Sequence, residues 1–186
     1  MAGDVNMSAH ENYNKLVFAG PVGAGKSTAI AAISETPPVS TEETLSSGAM
    51  GDKTTTTVAL DYSFLNLEGS IIHIYGMPGQ ARLGFMRNIV LEGALGVVLL
   101  LNGESEEVYN DASYWLRSIR EISPQLNVVI GITKTENNPD LSLNELRGSI
   151  SQIDPKAPIL SVDAREEDDM KQLLKILLAL HMAQAV

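Results

Sequence analysis

Residues 15–34 read KLVFAGPVGAGKSTAIAAIS. An apolar run of strand character is followed by Gly and Pro, then by a helix-forming Ala- and Ile-rich segment. Inside it, GPVGAGKS (20–27) satisfies the pattern GxxxxGKS/T, in the context that pattern requires: a buried strand before it and a helix after it. The glycines let successive backbone N–H groups face one concavity, and the helix N-terminus adds its dipole. Lys26 is placed to reach the β- and γ-phosphates of a nucleotide and Ser27 to ligate Mg²⁺. Gly20, Val22, Gly23, Ala24, Gly25, Lys26, Ser27 and Thr28 are therefore the candidate residues of a nucleoside-triphosphate site.

Outward from this loop, strand and helix patterns alternate. The stretch 58–67, VALDYSFLNL, and 70–76, SIIHIYG, read as two strands joined through Glu68 and Gly69, a hairpin signal. GALGVVLLLN (93–102) is a continuous apolar run, as a strand covered on both faces requires. EEVYNDASYWLRSIREIS (106–123) follows as an amphipathic helix with Val108, Ala112, Trp115, Leu116 and Ile119 on one side. NVVIGIT is a further buried strand, LSLNELRGSISQI a short helix and APILSV the last strand. EEDDMKQLLKILLALHMA closes the chain as a helix, with Met170, Leu173, Leu174, Leu177 and Leu180 at helical spacing and acids at its positive N-terminal end. The alternation predicts an α/β fold: a three-layer sandwich of the P-loop NTPase kind, with a mainly parallel sheet and one antiparallel hairpin over 58–75. Residues 1–14 read as a polar arm before a single domain at 15–186. Residues 36–57, rich in Pro, Ser, Thr and Gly, read as a long loop of the functional kind.

Composition narrows the partners. With 13 basic and 23 acidic residues the formal charge is −10, and the basic residues are scattered. Binding to nucleic acid or to an anionic lipid surface is disfavoured. Cysteine is absent, which excludes disulfides and cysteine metal sites. The N-terminus lacks the features of a signal peptide or of lipidation, the C-terminus has no prenylatable Cys, and no apolar run is long enough to span a bilayer. A cytoplasmic protein without a membrane anchor is expected.

Read in order, the motifs resemble those of the Ras-like small GTPases, closest to the bacterial branch of MglA-like and Roadblock-associated GTP-binding proteins. The resemblance covers about residues 15–183. It implies a Ras-like G domain, GTP/GDP and Mg²⁺ as ligands, slow GTP hydrolysis, and a Roadblock/LC7-type protein regulator. TVALDY (57–62) resembles the first switch, with Thr57 contacting Mg²⁺ and the γ-phosphate and Thr55 or Thr56 as substitutes. YGMPGQ (75–80) resembles the second: Gly79 would offer its N–H to the γ-phosphate and Gln80 would orient the attacking water. TKTE (133–136) stands where the branch reads the base. Guanine presents two donors on its Watson–Crick edge, which the Glu136 carboxylate satisfies, while Lys134 lays its stem along the base. VDAR (162–165) resembles the loop that brings a backbone N–H, here that of Ala164, to guanine O6, with Asp163 and Arg165 beside it.

Three departures qualify the resemblance. Gly76 stands where most Ras-like proteins carry the Asp that holds Mg²⁺ through water. Val22 replaces a glycine and crowds the path of an incoming arginine finger, for which Arg82 or Arg87 of the same chain would be substitutes, though each reads more simply as a surface residue. Thr133 replaces an Asn and is expected to loosen the tie between the base loop and the phosphate loop. Two other readings follow: a nucleotide-dependent binding module without hydrolysis, including a pseudo-GTPase or an ATP-binding P-loop protein, and a P-loop kinase of a small metabolite, for which no Arg-rich lid is present. His73 reads as a satisfied cross-strand residue, Trp115 as packing, and Glu166–Asp169 as a solvated helix start.

Overall fold

The computed structural model describes residues 14–47, 54–80 and 84–184, with side chains of 40–47 and 54–59 left aside. In chain order the elements are β1 (Asn14–Ala19), α1 (Lys26–Ile33), β2 (Val39–Ser47), β3 (Thr54–Leu67), β4 (Ser70–Gly76), α2 (Met86–Leu91), β5 (Gly96–Asn102), α3 (Val108–Ile122), β6 (Asn127–Thr133), a 3₁₀ turn (Thr135–Asn137), α4 (Leu143–Ser151), β7 (Ile159–Ser161) and α5 (Glu167–Gln184). They build an α/β structure on one seven-stranded sheet of order β2-β3-β4-β1-β5-β6-β7. Pairing is parallel from β4 through β1, β5 and β6 to β7, and antiparallel for β2–β3 and β3–β4.

Alternation along the central strands divides the core into two layers. Val17, Val97, Leu99 and Leu101 point to one face and pack with Trp115, Leu116 and Ile119 of α3, Leu146 of α4 and Val90 of α2. Leu16, Phe18, Val98 and Leu100 point to the other and pack with Ile30 of α1 and Met170, Leu173, Leu174 and Leu177 of α5. Helices therefore lie on both faces, as the near-continuous burial of β5 and β6 demands. The five residues assigned to the inner side of the α3 helix are all buried, whereas Leu180 of α5 is only half-buried.

The 58–75 hairpin is present, turned by Glu68 (φ 53°) and Gly69 (φ 88°). Two consecutive positive φ values give the turn whose twist matches antiparallel strands. The loop expected over 36–57 is corrected by the structure. Val39–Ser47 forms β2, and β3 begins at Thr54, so Thr54–Thr57 are strand and Thr57 lies opposite Thr44. Runs of Thr and Val favour an extended backbone once a partner strand is available, whatever their lack of apolar period. The sheet thus carries a second antiparallel pairing beyond the single hairpin expected. The helix α2 also lay outside the sequence reading. Residues 1–13, most of the expected arm, fall outside the described residues, and Asn14 already belongs to β1. Among the described residues no helix is long and apolar enough to cross a membrane.

Candidate functional site

All loops of interest leave the C-terminal ends of the parallel strands, the usual position for a site in an open α/β sheet. The loop after β1 runs from Gly20 to Gly25 with Gly20, Gly23 and Gly25 at positive φ, which turns backbone N–H groups toward one concavity. Gly25 caps α1. Lys26 folds back into this loop and donates from Nζ to the Gly20 carbonyl (2.8 Å) and the Pro21 carbonyl (2.7 Å). An ammonium has three donors, so one remains for a ligand in the loop. Burial pulls the Lys26 pKa down to about 8, with the negative charge of Asp61 opposing the shift.

Asp61, on β3, is a site residue whose role the sequence reading did not see. It is the register partner of Gly76 on β4, and its Oδ2 accepts a hydrogen bond from the Ser27 hydroxyl at 2.7 Å. A side chain at position 76 would meet it: an added Cβ would stand 3.0 Å from Asp61 Cβ and 3.4 Å from Oδ2. A carboxylate therefore stands across the strand pair from Gly76, beside Ser27. The signal available in the sequence was Asp61 in VALDYSFLNL, the one charged residue of that stretch, opposite a glycine in the implied hairpin.

Gly79 sits against the phosphate loop. A Cβ there would fall 2.6 Å from the Val22 nitrogen and 2.8 Å from Lys26 Nζ, so only glycine permits this approach. Val22 points outward and is 69% exposed at the rim of the loop. Gln80 is exposed beside Gly79. Thr57 is placed within β3 by its backbone alone. Arg82 lies outside the described residues. Arg87, the surface residue of the sequence reading, is instead 4% exposed. Its guanidinium lies over Trp115 at 4.2 Å and donates to Ser118 Oγ (2.6 Å) and Tyr114 OH (3.1 Å). It pins α2 to α3 and is committed there, because the flat cation stacks on indole and apolar burial covers its stem.

A second cavity, about 290 Å³, opens beside the phosphate loop. Gly25, Thr28, Thr133, Lys134, Glu136 and Ala164 are among its lining, so the three segments singled out in the sequence converge there. Ala164 packs on the loop itself: a Cβ on Gly25 would lie 3.0 Å from Ala164 Cβ. Thr133, expected to loosen the junction, ties it. Its buried hydroxyl is 3.1 Å from both the Ala24 and the Leu101 carbonyls, joining the phosphate loop, β5 and β6. Lys134, in a left-handed conformation, reaches the Gly23 carbonyl at 3.3 Å and pairs with Glu104 at 3.8 Å. Asp163 is gripped by Arg165, whose Nε is 2.9 and 3.1 Å from the two carboxylate oxygens. That grip lowers the Asp163 pKa to about 2. Asp169, read in the sequence as a solvated acid, accepts from the Asp163 backbone N–H at 2.7 Å and so fixes this loop on α5. His73 is satisfied as expected, its Nδ1 2.9 Å from Tyr62 OH. Among the described residues no group of three or more His, Cys, Asp or Glu is arranged to hold a metal ion by itself.

No protein-family model matches the chain. The chain is similar to an uncharacterized protein of Methanocaldococcus jannaschii, 36% identical over 58 residues, which amounts to 28% of this chain and 38% of that protein. The match therefore spans well under half the length of that relative.

Proposed function

We propose that the protein is a GTP/GDP-binding switch of the Ras-like kind, on a P-loop three-layer sandwich, with slow intrinsic GTP hydrolysis. The observation that carries this reading is Asp61 set against Gly76 and bonded to Ser27. The site has a hydroxyl and a carboxylate side by side at the root of a phosphate loop, the hard oxygen pair that Mg²⁺ takes alongside phosphates and water. Bound Mg²⁺ would neutralise charge on the β- and γ-phosphates. Ser27 would turn its oxygen from Asp61 to the metal, and Asp61 would hold metal-bound water. Lys26 keeps its two loop carbonyls and gives its remaining donor to phosphate.

The second cavity supports the guanine half of the reading. Glu136 presents an acceptor-only group, which fits the N1–H and N2–H₂ donors of guanine and is repelled by N1 of adenine. Ala164 N–H would meet O6. Gly79 N–H would read the γ-phosphate and Gln80 would orient water. Thr57 stands four residues before Asp61 on the same strand, about 13 Å away along an extended backbone, so for it to join the metal this part of β3 would have to rearrange. A Roadblock/LC7-type regulator in the cytoplasm is the partner that the resemblance implies.

A second reading, a binding module without hydrolysis, draws on Val22, exposed at the rim of the loop, where its side chain would crowd the space of an incoming arginine finger. One preparation separates the readings. Bound nucleotide is released and identified, and GTP, GDP and ATP are titrated with and without Mg²⁺. Guanine binding at least about tenfold tighter than adenine, or ~1.4 kcal/mol, supports the switch; tighter ATP binding sinks it. Single-turnover hydrolysis of wild type and Gln80→Ala then decides between switch and module, equal inertness leaving the module.

A further inference from the structure

Three carboxylates line the cavity beside the phosphate loop: Glu104, Glu136 and Asp163. Two are already engaged. Glu104 faces Lys134 at 3.8 Å, and Asp163 is held by the Arg165 fork through both oxygens. Glu136 accepts no hydrogen bond from any described residue. Arg165 is influenced by it only as a weaker second negative charge after Asp163.

This division matters because of where the two carboxylates stand. Glu136 follows the left-handed Lys134 on the 3₁₀ turn. Asp163 is the immediate neighbour of Ala164, whose Cβ touches the phosphate loop at Gly25. Asp163 also closes a turn by accepting from the Arg165 backbone N–H at 2.9 Å, which sets the peptide that bears the Ala164 N–H. On the proposed reading, on which this inference rests, that N–H meets the exocyclic position of the base. Guanine places an acceptor there, O6, and adenine places a donor, N6–H₂. An uncommitted carboxylate beside that position would repel the first and accept from the second.

We propose that Arg165 is a specificity-determining positioning residue: by engaging the Asp163 carboxylate it removes an acceptor that would admit adenine, and leaves Glu136 as the one carboxylate offered to the base. The planar fork suits this task, since it satisfies both oxygens at once and stays charged at any working pH. The pair is partly exposed, Arg165 at 72% and Asp163 at 33% of side-chain area, so its effect belongs to selectivity and contributes little to folding.

The test is a cycle of equilibrium dialysis with GDP and with ADP on the full chain: wild type, Arg165→Gln, Asp163→Ser, and the double variant. Arg165→Gln is expected to cut the GDP-to-ADP preference about tenfold, ~1.4 kcal/mol, by weakening GDP and strengthening ADP together. Asp163→Ser in that background removes the unneutralised charge while keeping an acceptor for the turn, and is expected to restore the preference to within about twofold of wild type. An Arg165→Gln protein that loses both nucleotides equally, or a double variant that is not restored, overturns the proposal and leaves Arg165 a structural residue. A wild-type protein that binds GDP no better than ADP sinks the switch reading itself and this inference with it, an outcome distinct from the first two.

Discussion

On one side of β1 run β5, β6 and β7, all parallel, with β5 and β6 buried along almost every residue. On the other run β4, β3 and β2, antiparallel where β3 meets its neighbours, with Ile71 exposed and Tyr62, Phe64 and His73 only half-buried. The first flank is held by apolar burial on two faces and carries most of the loops that line the cavity beside the glycine-rich loop. The second relies far more on ladder hydrogen bonds, and it carries Asp61 and, through the segment after β4, Gly79. On the proposed reading, the groups that would recognise the base sit on the flank that is costly to deform, and those that would lie nearest the metal and the γ-phosphate sit on the flank that is cheaper to rearrange.

Two substitutions, one at the junction and one on the antiparallel flank, break this comparison most directly. Lys26→Ala is expected to cost about a hundredfold in affinity for GDP, the upper end for losing one hydrogen bond between charged groups, with and without Mg²⁺ alike. Asp61→Asn is expected to lower affinity about ten- to a hundredfold with Mg²⁺ present, the range for losing an outer partner of a metal, and to change it little in EDTA. Calorimetry in the two buffers reads the difference. Equal losses at Asp61 in both would show that the carboxylate serves the phosphate loop and leaves the metal to other groups.

The difference between the flanks also governs what the sequence revealed. The parallel flank was legible because burial on both faces demands long apolar runs, and GVVLLLN and NVVIGIT are such runs. The glycine-rich loop between β1 and α1 was legible because its backbone geometry can be met by few residue types. VSTEETLSS, by contrast, carries no apolar period, since an edge strand is specified by its neighbour's hydrogen bonds more than by its own side chains. Helix α2 is only six residues long, below the length at which a helical period becomes visible. Arg87 looked like a surface cation because nothing local indicates a tryptophan twenty-eight residues on as its stacking partner. Asp61 was visible as a residue and its place beside Gly76 and Ser27 was not, because that relation is a cross-strand register that spacing alone does not give.

A smaller effect is expected where the parallel flank meets the phosphate loop. Thr133→Val keeps the shape and removes the hydroxyl that joins the Ala24 and Leu101 carbonyls. The loss should be about 1–2 kcal/mol of unfolding free energy, the cost of leaving buried acceptors unsatisfied, measured by urea denaturation. Nucleotide affinity should fall severalfold with it, since the phosphate and base loops then move independently. Unchanged stability would mean that water enters and takes over both bonds.

The smallest expected effect near neutral pH is a pH dependence that belongs to Lys26, about twofold in affinity between pH 7 and pH 8. Burial lowers its pKa from 10.5 to about 8 in the folded chain. Below about pH 8 both folded and unfolded chains carry the charge, and the burial penalty is present in full. Between about pH 8 and 10.5 the unfolded chain binds the extra proton, so this residue makes the fold more stable as pH rises through that window. Nucleotide affinity runs the opposite way. Phosphate favours the charged ammonium, so binding above about pH 8 draws in a proton, and affinity falls by up to about tenfold for each further pH unit. Titrations at pH 7, 8 and 9, in buffers of different ionisation enthalpy, count that proton directly. In Lys26→Met the uptake should vanish while the weak residual affinity stays flat with pH. Proton uptake that survives the substitution would assign the titration to another group and remove Lys26 from the role of a poised, half-charged phosphate ligand.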